Sequence, residues 1–142
     1  MTYHVTIYRF QDTEGNALVH LSNPALYIVN NNSIVKFSDL DGSLSWSIVF
    51  KGDITPFIDK SKKPAGTAAN PINSNAPLTI DPNASGDYNY SITIAADEQY
   101  GVAQEDPQVI IGGKGSFQWM VLGAAAGLTI ATLILLPFRR GD

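Results

Sequence analysis

Two histidines, no cysteine and thirteen carboxylates are what this chain offers for chemistry. His4 sits on the polar side of an alternating run and His20 in a short one. Neither has a patterned carboxylate beside it, so an imidazole metal site or a general base is not expected. The missing cysteine excludes thiol nucleophiles, disulfides, haem attachment and thiolate metal sites together. Asp97, Glu98, Glu105 and Asp106 crowd one late segment. Converging, they would suit a hard cation; a solvated acidic loop is the plainer reading, and it serves also for Asp39, Asp41 and Asp53. Serines are plentiful, but no Gly-x-Ser-x-Gly elbow occurs. The run IIGGKGSF at 110–117 has the wrong glycine spacing for a phosphate loop. The sequence therefore predicts no catalytic site, no metal site and no enzyme.

The strongest physical signal lies elsewhere. Phe117 to Phe138, FQWMVLGAAAGLTIATLILLPF, holds 22 residues without a charge and is followed by Arg139 and Arg140. As a helix it would reach roughly 33 Å, enough to cross a hydrocarbon core. The alternative, a buried central helix, would need the preceding residues to wrap it on every side. Trp119 at one end and Arg139 and Arg140 at the other suit the two membrane interfaces. Gly123, Gly127 and Ala131 recur at small-xxx-small spacing, which lets a second helix approach closely in lipid, and Trp119 would join that packing face. The partners expected are the bilayer and other integral membrane subunits. No cofactor is expected, although a lipid or pigment could lie against the helix.

Residues 1–116 carry seven Lys or Arg against twelve Asp or Glu. An acidic balance of this kind disfavours nucleic acid, which needs a basic face. Lys60, Lys62 and Lys63 form a solvated basic cluster in a loop. MTYHVTIYRF alternates like a strand and lacks the basic start and apolar run of a signal peptide. Three Asn-x-Ser sequons, at Asn31, Asn83 and Asn89, are explained by the abundance of asparagine.

The first 111 residues read as one domain of short strands between turn residues. Strands are expected over 3–10, 17–21, 25–29, 33–37, 44–50, 78–80, 86–94 and 108–111. Asn30 to Asn32 mark a hairpin or corner, because asparagine tolerates left-handed backbone. Leu44, Trp46, Ile48 and Phe50 share one face. Residues 52–76, rich in Pro, Gly, Asn and Lys, are expected to form a long surface loop that buries little, with one turn of helix near 57–60. Gly112, Gly113 and Gly115 make a hinge over 112–116, the helix follows over 117–138, and 139–142 is a polar tail. Many short strands divided by turns predict a mainly β, antiparallel sandwich.

The order of these elements resembles a cupredoxin, the Greek-key sandwich of blue copper proteins, over roughly 25–113. SNPALYIVNNNSIVKFSDLD resembles the family's second and third strands, LSWSIVF the strand that carries its first copper histidine, and GDYNYSITIAADEQYGVAQEDPQVIIGG its ending. The resemblance places Trp46 where the family has that histidine and Ile92 or a neighbour where it has its cysteine. The loop 95–106 lacks the second histidine and the methionine. Blue copper needs a thiolate and two imidazoles, so the resemblance implies a copper-free module used as a scaffold or docking domain.

Two arguments about sidedness conflict. Arg139 and Arg140 outweigh Lys114, which by the positive-inside tendency puts the C-terminus in the cytoplasm and the sandwich outside. A tail anchor leaves the sandwich in the cytoplasm and needs no export, and this side is slightly preferred. The expectation is a non-catalytic, single-pass accessory subunit that stabilises or positions a larger membrane complex, respiratory or photosynthetic. The alternative is a stand-alone tethered module that captures a soluble partner or ligand through the loop 52–76 and a surface of Trp46, Phe50 and Phe57.

Overall fold

The computed structural model describes residues 1–40 and 42–112. The helix, the helix-packing positions Trp119, Gly123, Gly127 and Ala131, and the interface pair Arg139 and Arg140 lie outside the described residues, as does most of the glycine hinge. Among the described residues no helix is long and apolar enough to cross a membrane.

The described residues form eleven strands: β1 (Thr2–Gln11), β2 (Ala17–Leu21), β3 (Ala25–Ile28), β4 (Ile34–Asp39), β5 (Trp46–Phe50), β6 (Phe57–Ile58), β7 (Pro64–Ala65), β8 (Leu78–Ile80), β9 (Gly86–Ile94), β10 (Ala103–Glu105) and β11 (Gln108–Ile111). One sheet runs β2-β1-β4-β8-β6-β7. The second is centred on β9, with β5 along one edge and β10, then β11, along the other; β3 closes it beyond β11. Alternation decides which side chains enter the space between the sheets. Val5, Ile7, Val35 and Phe37 enter from the first sheet, and Ile48, Ile92, Ile94 and Val109 from the second. Aromatic rings join the layers. Phe37 meets Tyr90 edge-on at 6.0 Å, and Phe50 meets Phe57 edge-on at 5.7 Å, arrangements that suit the ring quadrupoles.

The sheets are mixed, not antiparallel as the sequence predicts. β1 pairs with β4 in parallel, and β11 pairs with β3 in parallel. The cause is a change of sheet between β2 and β3. The Ser22 N–H still donates to the Thr6 carbonyl in the first sheet, whereas the Pro24 carbonyl accepts from Gln108 in the second. After β3, the Asn30–Asn32 corner returns the chain to the first sheet, so β4 runs the same way as β1. Asn30 builds that corner, accepting the Asn32 N–H on its side chain and the Ser33 N–H on its carbonyl. Alternation reveals a strand and its faces, not its direction.

Residues 52–76 also depart from expectation. They carry Phe57, Ala65 and Ile72 into the core, and Phe57–Ile58 is a strand rather than a helical turn. The segment is pinned to β5, with reciprocal bonds between Ile48 and Ile72 at 2.8 and 3.0 Å and the Phe50 N–H on the Gly66 carbonyl at 2.7 Å. Two-residue strands offer no period to detect, which is why composition alone suggests a loose loop. Gly66 has φ +100°, and a β-carbon there would lie 2.7 Å from Phe50 Cδ1, so the close approach to β5 requires glycine.

Candidate functional site

The end of the sandwich where β1 and β9 finish gathers several polar side chains with defined geometry. Arg9 follows Val5 and Ile7 on the inward side of β1, with its side chain only 12% exposed. A cation in that position needs a partner. Its guanidinium pairs with Asp97 at 2.8 Å and lies over the Tyr100 ring, 4.1 Å from the centroid. Asp97 in turn accepts the N–H groups of Gln99 and Tyr100 at 2.9 and 2.8 Å. The Tyr100 and Gln99 amides, then Arg9, hold the Asp97 carboxyl below its ordinary range. A sheet of one layer is thereby tied to the loop that leaves the other.

Asp39 fixes the neighbouring segment. It accepts the Leu44 N–H at 2.9 Å and the Trp46 Nε1–H at 3.2 Å. Partial burial opposes its ionisation, but these donors outweigh burial and leave the carboxyl below its ordinary range. Beside this segment opens a cleft of about 490 Å³. Its polar wall comes from Ser43, Ser45, Ser47, Asn73 and Thr93, Leu44 and Ala95 add an apolar margin, and Trp46, whose side chain is buried, also borders it. Ser47 and Thr93 are cross-strand partners on the outer face of the β5–β9 pair.

The surface expected from Trp46, Phe50 and Phe57 does not exist as such. The three residues are 6%, 1% and 0% exposed, because the even-numbered positions of β5 and the first of β6 face the opposing sheet. Their aromatic mass holds the layers together and is not offered to a partner. The positions that the resemblance equates with copper ligands are likewise apolar core. Trp46 pairs with Ile94 and Ile48 with Ile92, and none of the four side chains is a thiolate or an imidazole. These residues do not fit copper.

The carboxylates of 97–106 do not converge. Asp97 serves Arg9, Asp106 accepts the Ser91 hydroxyl at 2.9 Å, and Glu98 and Glu105 are exposed. Asp53 accepts the Ala68 N–H at 2.8 Å. His4 is exposed on the outer face of β1, and His20 lies 5.9 Å from the Tyr8 ring as its cross-strand neighbour. Among the described residues no group of three or more His, Asp or Glu side chains could hold a metal ion. Arg9 and the serine-lined cleft escape a reading by motif. Signals for both are present nonetheless: a charge on the apolar register of β1, and serine at every other position from 43 to 47.

Comparison with models of known protein families, with curated protein sequences and with solved structures finds no match to this chain.

Proposed function

We propose that this chain is a non-catalytic accessory subunit, a copper-free cupredoxin-like sandwich tethered by a helix over 117–138 to a larger membrane complex of a respiratory or photosynthetic kind. One observation carries the reading: 22 consecutive uncharged residues ending at an arginine pair. Such a segment is favourable in lipid and costly in water, and its small residues Gly123, Gly127 and Ala131 suit close packing against another helix. Trp119, Arg139 and Arg140 would mark the interfaces. The interior of the sandwich supports a scaffolding or covering role, since Trp46 and Ile92, which the resemblance equates with the first histidine and the cysteine, are indole and hydrocarbon, and the loop 95–106 holds neither histidine nor methionine.

The test is extraction of native membranes with mild detergent, native electrophoresis, and mass spectrometry of what co-purifies. Migration in a complex with integral membrane proteins is expected; a lone monomer overturns the proposal. Protease protection in sealed vesicles assigns the side, for which the tail-anchor argument favours the cytoplasm.

A further inference from the structure

The serine-lined cleft lies where the chain stops covering its own sheet edge. Along the outer edge of β5, Phe50 is paired with Gly66 and Ile48 with Ile72. The Ser45 carbonyl accepts from Ala95 on the other side, so backbone groups alternate: odd positions face β9 and even positions face outward. Trp46 is the next outward station. The covering segment departs at Asn73, which lines the cleft, and no described backbone group pairs with Trp46 on that side. The Trp46 N–H and carbonyl therefore stand as an adjacent donor and acceptor at the cleft's edge.

Around this pair the lining carries hydroxyls on Ser43, Ser45, Ser47 and Thr93 and an amide on Asn73, and no ionisable side chain among the described residues. A hydroxyl both donates and accepts, and an amide does the same across its two ends. An array of this kind offers a charged ligand no countercharge and discriminates against a purely apolar one. It matches a ligand whose own groups are hydroxyls on a compact carbon frame. The apolar margin of Leu44 and Ala95 suits the C–H face of such a frame, and the volume suits roughly one or two sugar rings.

We infer that this cleft is a binding site for a neutral saccharide or related polyol. The site is independent of whether the chain joins a larger complex. An extended neutral peptide could use the Trp46 station but would leave most of the hydroxyl lining without a role.

The experiment is an amide NMR titration of the full chain, held in a zwitterionic detergent without a sugar headgroup, using glucose and maltose as probes. Saturable shifts at Trp46, Ser47 and Thr93, with a dissociation constant on the order of millimolar, are expected. Replacing Ser47 by Leu, on the outer face where the fold is not at stake, should weaken binding at least about tenfold while leaving distant resonances in place. Ser91→Leu, on the same strand face outside the cleft, should bind like the parent. Absence of saturation with either sugar overturns the assignment. So does loss of binding in Ser91→Leu equal to that in Ser47→Leu. A neutral extended peptide that saturates the same amides when the sugars do not would replace the saccharide by a strand-like ligand.

Discussion

Tyr90 is fully buried between Phe37 and Phe50, yet its hydroxyl has no hydrogen-bond partner among the described residues. Burial pushes its pKa upward, so the phenol stays protonated across ordinary conditions. A buried unsatisfied hydroxyl costs stability. Tyr90→Phe should therefore raise unfolding stability by about 1 kcal/mol in urea titration, and a loss instead would mean that the hydroxyl is bonded. Gly66→Ala should act oppositely, lowering stability by about 2 kcal/mol, since the new β-carbon meets Phe50 and the backbone sits at positive φ. Asp39 gives a pH-dependent signature. Its pKa is depressed in the folded state, so its contribution is fully present above the ordinary aspartate value of about 3.9. That contribution fades as pH falls through the lower folded value. The stability gap between the parent and Asp39→Asn should accordingly be widest near neutrality and narrow as acidification carries the pH below the ordinary aspartate value. A gap unchanged across that range would remove the carboxylate from the account.

Among the elements, the long alternating strands were readable, and so were shorter ones at 17–21, 78–80 and 108–111, whereas β6, β7 and β10 were not. β1 and β9 declare themselves because each places several apolar side chains on one face, as with Tyr90, Ile92 and Ile94. β6 and β7 have two residues each, and their burial comes from the partner strands that receive them. The same holds for the candidate site. The aromatic positions of β5 are visible in the sequence, but whether Trp46, Phe50 and Phe57 face water or the other sheet depends on what covers them. Arg9 is the instructive case, because a charge in the register of Val5 and Ile7 forecasts a distant carboxylate without naming Asp97. Arg9→Met should cost about 1 kcal/mol through loss of the ring contact, and amide exchange should accelerate selectively over 97–100. Uniform acceleration across the sandwich would instead mark Arg9 as a general core residue.

For the molecule as a whole, acidic groups outnumber basic ones in the described part, and several are held ionised by local donors. Asn16 acts on Asp12, the Lys63 amide and then Asn70 on Asp59, and the Tyr100 amide on Asp97. The fold is therefore expected to keep its full stability above about pH 4 and to weaken on acidification, as these carboxyls take up protons at lower pH than in the unfolded chain. The proposed tether would leave from β11, whose last residue, Ile111, pairs with Ile28 and Gly86. Arg9, Asp39 and the serine-lined cleft occupy the other end of the strands.

The two parallel pairings also govern how quickly the molecule can assemble. β4 must find β1 across the whole first hairpin and its crossing, and β11 must find β3 after nearly all the intervening chain has been synthesised. Contacts so distant along the polypeptide bring little reward until large loops have closed, which places refolding in the slow range of milliseconds to seconds. A nascent chain released before Gln108 would lack the strand that joins β3 to β9, leaving two sticky edges exposed during the interval when escort by a chaperone matters most.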